Sequence, residues 1–130
     1  MVAFMHRSRM YALIIDAPDE EASAAAGFWS AALGVSARPD AAEPQFTRLV
    51  DAVDGLATVV QAVDGPPRMH IDVETDDVGA EVERLVGLGA TEVSCWLQCH
   101  VLRAPGGHLV CVIPVHSDPG LFAATARTWD

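Results

Sequence analysis

The sequence predicts an α+β fold built from two β-α-β-β-β modules. Three observations lead to this prediction: 130 residues suit one domain with one core, the same order of apolar, helical and turn signals occurs twice, and each repeat ends in three β-prone runs. Hydrophobic residues make up 51% of the chain and charged residues 20%, which is typical of a folded globule. Neither repeat could bury both faces of its sheet alone, so we expect the modules, at about 10–64 and 68–116, to pack together.

The repeat is carried by residues 14–36 and 71–94. Both segments begin with an apolar run that ends in acidic residues. Both continue into an amphipathic helix that closes with Leu-Gly, at Leu33-Gly34 and at Leu88-Gly89. Each glycine stands where a left-handed residue would end a helix.

The first helix is predicted at about Glu20–Leu33, with Asp19 as its cap because a carboxylate there can accept free amide hydrogens. Residues at i, i+3, i+4 and i+7 spacing form its apolar stripe: Ala22, Ala25, Ala26, Trp29 and Leu33. The second helix is predicted at about Val78–Leu88, with Asp76 or Asp77 as its cap. Its apolar stripe consists of Val78, Val82, Leu85 and Val86.

Three short β-prone runs separated by turn residues follow each helix. In the first module they are about Val35–Arg38, Phe46–Val50 and Thr58–Val63, and in the second about Glu92–Leu97, His100–Ala104 and Leu109–Val115. Gly65-Pro66-Pro67 is expected to connect the modules. Residues 1–9 are expected to be an N-terminal extension, disordered or leading into the first strand. Residues 117–130 are expected to be a C-terminal tail, whose Phe122 and Trp129 pack a short helix on the sheet or on a second subunit.

The formal net charge is −10, so phosphates and anionic lipids are repelled, and neither nucleic acid nor a membrane is an expected partner. No apolar run is long enough to span a bilayer, and the first residues lack the order of a secretory signal. Three cysteines are few for a secreted disulfide scaffold, and an odd number cannot all pair within the chain. We therefore expect a cytoplasmic protein.

Several local patterns occur in an order typical of one superfamily. Asp19 is followed by Phe28-Trp29 and Leu33-Gly34, the strand Met69–Val73 precedes Asp76-Asp77, and Pro105-Gly106-Gly107 opens a hairpin that reaches Cys111. Over about residues 10–116 the chain resembles the vicinal oxygen chelate superfamily, the glyoxalase and bleomycin-resistance type. Ala104 and His108 depart from its usual turn residues. The resemblance implies a cup-shaped mixed sheet with helices on the outer face, and a homodimer. It leaves open whether the cup forms within one chain or across two.

Metal-dependent members of that superfamily hold a divalent ion with one side chain from each of four strands. By resemblance these positions fall at Ala12, Gln61, His70 and Cys111. Alanine offers no donor and glutamine only a neutral oxygen, so we expect no metal, with His70 as a weak candidate ligand for Zn, Ni, Mn or Fe. A zinc site among the cysteines and histidines of residues 95–111 is also not favoured, because their spacing fits no usual pattern.

Strand alternation places His70 and Asp72 on the inner face, while Met69, Ile71 and Val73 face the helices. The same alternation places Met10, Ala12 and Ile14 inward. The predicted ligand-binding residues are Gln61, His70, Asp72, Trp96, Cys111, Ala12, Ile14, Val59 and Leu109. These residues describe a mostly apolar pocket with few polar groups, in which Trp96 could stack on a planar ligand.

The sequence contains no Ser-His-Asp elbow, phosphate-binding glycine loop or dinucleotide fingerprint, and no catalytic residue is predicted. The leading hypothesis is a protein that sequesters a small apolar or planar metabolite or antibiotic without metal. Two alternatives stay open. One is a metal-dependent lyase, isomerase or dioxygenase of the same superfamily, and the other is a structural or regulatory dimer without a ligand.

Overall fold

The computed structural model describes residues 5–130, which form two compact units. We call residues 12–70 the first unit, and residues 5–11 together with residues 71–130 the second unit. The first strand and the fifth strand each pass from one unit into the other. The elements of the first half are β1 His6–Pro18, a 3-10 turn Asp19–Glu21, α1 Ala22–Leu33, β2 Ala37–Pro39, β3 Phe46–Leu49 and β4 Ala57–Val63. Those of the second half are β5 Arg68–Thr75, α2 Val78–Gly87, β6 Thr91–Trp96, β7 Cys99–Arg103, β8 Leu109–Pro114, α3 Pro119–Thr125 and β9 Arg127–Trp129.

The first unit is a sheet in the order β2-β3-β4-β1 with α1 on one face. β4 runs parallel to β1, in a register that pairs Ala12 with Ala57, and the β2-β3-β4 pairings are antiparallel. A parallel pair needs a long crossover, which α1, β2 and β3 provide. The doubled β-α-β-β-β order and the α+β class are therefore confirmed.

The core of the first unit lies between α1 and the sheet. It contains Ile15, Ala17, Ala26, Leu49 and Val60, with Ala22, Ala25 and Trp29 packed against them. The predicted stripe of α1 is thus confirmed except at Leu33, which is 48% exposed because it is the last helical residue. Gly34 ends the helix with φ of 69°, as its position predicts.

The prediction that Asp19 caps α1 is wrong. The chain first makes the 3-10 turn from Asp19 to Glu21, so that α1 begins at Ala22, two residues later than predicted. Neither the turn nor the helix has a side-chain cap. Asp77, by contrast, does cap α2, because its side chain accepts a hydrogen bond from the amide of Ala80 at 3.0 Å.

The second unit is a sheet in the order β1-β5-β8-β7-β6, and β9 also pairs with β1. α2 packs over β7 and β8 through the cluster Val82, Ala90, Leu102 and Val112, with Val78, Leu85 and Val110 against it. Val86, predicted in the stripe, is 46% exposed. On β5, Met69 and Ile71 are also exposed, because α2 covers the later strands and not the first strand of its module. The β6–β7 pairing shifts register between Glu92 and Ser94, which marks a β-bulge.

Both ends of the described chain belong to the second unit. β1 begins at His6, so the last four residues of the expected extension are strand, and Met1–Phe4 lie outside the described residues. The C-terminal segment forms α3, with Phe122 buried, and then β9, which sequence patterns did not predict. Register pairs His6 with Trp129, so the C-terminal segment does pack on the sheet.

Buried carboxylates on α2 and β5 connect these end segments to the rest of the second unit. Glu81 of α2 accepts hydrogen bonds from His6 and from Arg84, each at 2.8 Å, and the guanidinium of Arg84 lies 3.9 Å from the ring centre of Trp129. Glu74 of β5 binds Arg9 at 2.8 Å and accepts the amide hydrogens of His116 and Ser117. Burial raises the pKa of both glutamates, but these hydrogen bonds outweigh it and hold each pKa below 4.5.

None of the helices between residues 5 and 130 has both the length and the apolar character that crossing a bilayer requires.

Candidate functional site

The face of the first-unit sheet that points away from α1 carries several of the predicted ligand-binding residues. Because side chains alternate along a strand, Ile15 and Val60 in the core put Ile14 and Val59 on the opposite face. Register places Ala12, Ile14 and Asp16 of β1 beside Ala57, Val59 and Gln61 of β4, in the same order. Ala12 and Ile14 are almost fully buried, at 0% and 3% exposure, while Val59 and Gln61 are half-buried.

At one end of this apolar floor lies a hydrogen-bonded pair of Asp16 and His70. The Oδ2 atom of Asp16 is 2.8 Å from Nδ1 of His70 and 3.7 Å from Nε of Arg68. The Asp16 side chain is 3% exposed and that of His70 is 11% exposed. Because an ionised carboxylate only accepts hydrogen bonds, Nδ1 of His70 carries the hydrogen, and this fixes the orientation of the imidazole ring.

The second oxygen of Asp16, Oδ1, is buried and has no hydrogen-bond partner within residues 5–130. A buried carboxylate oxygen without a partner loses its hydration and gains nothing in exchange, which costs about 1–3 kcal/mol or more. Buried polar atoms nearly always have a hydrogen-bond partner. A ligand that donates a hydrogen bond would supply the partner that Oδ1 of Asp16 lacks among the described residues.

Positive side chains flank the other end of the same face. Phe46 of β3 is the register partner of Gln61, and Arg48 is the partner of Val59, so both point to the side of Ile14 and Asp16. Arg38 of β2 lies directly opposite Arg48, and both arginines are exposed. Like charges directly opposite each other on a sheet repel, and an anionic group between them would relieve that repulsion.

The remaining predicted residues lie in the second unit. Asp72 and Cys111 are register partners on β5 and β8, both half-buried, and Leu109 precedes Cys111 by two residues on the same face of β8. Trp96 is the last residue of β6 and is 74% exposed. Its proposed stacking on a ligand stays a prediction.

Two further residues on these strands have surroundings that strand alternation alone does not predict. Met10, expected inward with Ala12, is 41% exposed. Glu74, which alternation places on the face of His70 and Asp72, is fully buried and binds Arg9 and Ser117. Its carboxylate is hydrogen-bonded to β1 through Arg9 and to the C-terminal segment through Ser117.

Sequence reasoning missed Asp16 and Arg48. The available signal for Asp16 was strand alternation: it is four residues after Ala12 and so shares its face. Its partner is 54 residues away in sequence, and only the register of the strands brings the two together. Arg48 needed the β3–β4 register for the same reason.

Residues 12–113 match the family model described as a glyoxalase-like domain. The chain belongs to the glyoxalase-like domain family. It is thereby a member of the vicinal oxygen chelate superfamily, with the glyoxalase/bleomycin-resistance fold. The resemblance read from the sequence motifs is confirmed. No curated protein matches the sequence.

Solved structures with low sequence identity share this fold. A hypothetical protein from Bacillus halodurans C-125, BH1468, is 8% identical with a TM-score of 0.58, over 85% of this chain and 96% of that one. The NAD-dependent benzaldehyde dehydrogenase from Legionella pneumophila is 14% identical with a TM-score of 0.54, over 80% and 99%. Methylmalonyl-CoA epimerase from Mycobacterium tuberculosis is 15% identical with a TM-score of 0.53, over 89% and 91%. At these identities the likeness concerns the fold alone.

The side chains present do not fit the four-ligand metal set of the superfamily. At the position on β1, Ala12 is an aliphatic residue with 0% exposure. At the position on β4, Gln61 provides a neutral amide, a weak ligand compared with histidine or carboxylate. Two of these four positions therefore lack a good donor, whereas a catalytic ion needs three or four.

Proposed function

We propose that this glyoxalase-like domain is a binding protein for a small apolar or planar organic molecule, and that it works without a metal ion. The ligand lies over the half-buried Val59, beside Gln61, and donates a hydrogen bond to Asp16. The single observation that carries the proposal is the buried Oδ1 atom of Asp16, which has no partner among the described residues. An apolar floor with few convergent polar groups is the usual composition of a small-molecule site.

The position of Arg48 gives the proposed ligand a second chemical feature. Strand spacing puts the side chains of β1 and β3 roughly 10 Å apart across the sheet. A planar molecule with a donor group at one end and a negative charge at the other would therefore reach both Asp16 and Arg48. Neutral planar molecules are expected to bind more weakly than carboxylates of the same shape.

The binding experiment compares carboxylate-bearing and neutral aromatic molecules by isothermal titration calorimetry. For the ligand that binds best, Asp16→Asn should weaken binding roughly tenfold or more, because a hydrogen bond to a charged group contributes about 1.5–3 kcal/mol. Asp19→Asn is the matched control, since Asp19 is exposed and outside the site. Equal affinity of the Asp16→Asn variant and the control would contradict the proposal, as would failure of every molecule in a broad panel to bind.

A second candidate function is a metal-dependent lyase, isomerase or dioxygenase. One observation favours it: a carboxylate that orients the ring of a histidine, as Asp16 does for His70, is a common support for a metal-binding histidine. Elemental analysis of protein purified without a metal-affinity tag separates the two candidates. We expect no stoichiometric Zn, Ni, Mn or Fe, and one equivalent of any of them would favour the enzyme.

We also propose that the domain forms a homodimer in the cytoplasm, as the superfamily resemblance implies. Light scattering coupled to size-exclusion chromatography tests the dimer directly. A monomer at all concentrations would remove this part of the proposal and leave the binding site unaffected, because every residue used above lies in one chain.

A further inference from the structure

The β6–β7 hairpin of the second unit carries a cluster of chemically active side chains that shares no residue with the site described above. Its members are Glu92 and Cys95 of β6 and His100 of β7. The Sγ atom of Cys95 is 3.5 Å from Nε2 of His100, and Nδ1 of His100 is 2.6 Å from Oε1 of Glu92. Cys95 is exposed, and the side chains of His100 and Glu92 are 26% and 42% exposed.

The β-bulge produces this arrangement. Cys95 and His100 are register partners and so share a face of the hairpin. Glu92 precedes Cys95 by three residues, and in a regular strand it would point to the opposite face. The extra residue between Glu92 and Ser94 reverses this alternation and brings the carboxylate to the side of His100.

The order of the three groups is linear, with the imidazole in the middle. A carboxylate accepts a hydrogen bond, so Nδ1 of His100 carries the hydrogen and the lone pair of Nε2 faces the thiol. A thiol, a histidine base and an orienting carboxylate in this order form the usual device for activating a sulfur nucleophile. A metal site would need the three donors to converge on one point, whereas here both ring nitrogens are engaged in opposite directions.

We propose that Cys95, His100 and Glu92 form a reactive-thiol site that undergoes thiol–disulfide exchange with small organic disulfides. The Sγ atom attacks one sulfur of the disulfide while Nε2 of His100 takes the thiol proton. A new S–S bond forms between Cys95 and that sulfur, the original S–S bond breaks, and the leaving sulfur receives the proton from His100. No other oxidant is consumed, because the disulfide itself is reduced to one equivalent of thiol.

The surroundings of the hairpin suit a small organic partner. A cavity of about 410 Å³ lies beside the cluster, lined by His100, by Leu97 and Gln98 of the hairpin turn, and by the start of α2 at Val78 and Gly79. Leu97, whose carbonyl oxygen lies 3.6 Å from Sγ of Cys95, is 79% exposed and offers apolar contact. The other two cysteines, Cys99 and Cys111, are half-buried and serve as internal controls.

The test uses 4,4′-dithiodipyridine, a neutral aromatic disulfide whose released thiopyridone absorbs light, mixed with the full chain in a stopped-flow instrument at pH 7. We expect one fast phase of one equivalent. It should disappear in Cys95→Ser and persist in both Cys99→Ser and Cys111→Ser. His100→Gln keeps a hydrogen-bonding side chain without a base, and it should slow the fast phase by about a hundredfold or more.

Glu92 acts through His100, so its test needs a separate readout. Nitrogen NMR of the ring should show His100 with its hydrogen on Nδ1 in the natural chain and a mixture of both forms in Glu92→Ala, whereas Glu92→Asp should restore part of the original signal. An unchanged rate in a folded His100→Gln variant would overturn the proposal, since Cys95 would then react as a merely exposed thiol. Loss of the fast phase in Cys99→Ser or Cys111→Ser, with Cys95→Ser still reacting, would overturn it as well.

Discussion

The first unit buries Ile15, Leu49 and Val60 against α1, whereas the second unit buries two carboxylates, Glu74 and Glu81, beside its apolar cluster. Both units repeat one order of elements, so the difference does not come from topology. It comes from the end segments of the chain, which dock on the second unit through Arg9, His6 and Ser117. The comparison teaches that one module fold can hold a buried carboxylate with one oxygen lacking a partner among the described residues, as at Asp16, or can pair its buried carboxylates with the end segments of the chain.

The largest expected effect on stability comes from removing a buried leucine, a feature that the cores of both units share. Leu49 and Leu102 are both fully buried, at 1% and 0% exposure, one in each core. Leu49→Ala and Leu102→Ala should each lower the free energy of unfolding by about 3 kcal/mol, through lost burial and the cavity left behind. Urea denaturation measures both. A cost below about 1 kcal/mol for only one of them would mean that its core collapses around the gap and that the units are not equivalent.

Arg84 tests the polar network of the second unit. Arg84→Met keeps the volume of the side chain but leaves Glu81 with one partner fewer and removes the contact with Trp129. We expect a loss of about 2–3 kcal/mol, less than the roughly 3–5 kcal/mol for a fully buried ion pair, because Arg84 is itself 25% exposed. Arg68→Met in the first unit is the control. Its pair with Asp16 spans 3.7 Å and Arg68 is 57% exposed, so its loss should cost less than about 1 kcal/mol.

Acid should weaken the buried polar network of the second unit. The pKa of Glu74 and Glu81 in the folded protein lies below the ordinary value of 4.5. Their contribution to stability is therefore complete above pH 4.5 and is lost as the pH falls through the lowered pKa of each group. Urea midpoints measured from pH 7 down to pH 3 should fall at the acid end, and less steeply in Glu81→Gln. Parallel curves for the two proteins would show that Glu81 does not carry this dependence.

The smallest expected effect is the difference in stability between variants at the first residues of the two helices. Asp77→Ala removes the side chain that accepts the Ala80 amide hydrogen and should cost about 1 kcal/mol. Asp19→Ala removes no cap and should change stability by less than about 0.5 kcal/mol. Thermal melting of the two variants checks this difference, and equal costs would show that Asp19 supports α1 in a way that the hydrogen bonds do not reveal.

Sequence patterns predicted most of the fold because they report local chemistry. Alternation and turn residues located β3, β4, β7 and β8 to within about two residues, and Gly34 marked the end of α1. They failed where a long-range partner decides the structure. β9 is a strand because β1 offers it an edge, and charged residues such as Glu81 look like a solvated helix face until His6 covers them.

The candidate site was predicted in part for the same reason. Ile14, Val59, Gln61 and His70 could be placed on one face from the period of the strands, and the structure brings them together in the first unit. The partner of His70 could not be predicted, since Asp16 competes with Asp72, which is nearer in sequence. The cluster on the β6–β7 hairpin depends on a bulge, and a bulge leaves no clear mark in the amino-acid pattern of residues 91–96.

The bulge has a further consequence for solubility. β6 lies at one end of the strand order and β2 at the other, and an open strand edge can template pairing with another copy of the chain. The bulge beside Glu92 interrupts the regular row of amides and carbonyls on β6, and Pro39 removes one donor from β2. Deleting Val93 would restore a regular β6. The strand edge could then pair with the edge of another molecule, which favours edge-to-edge aggregation.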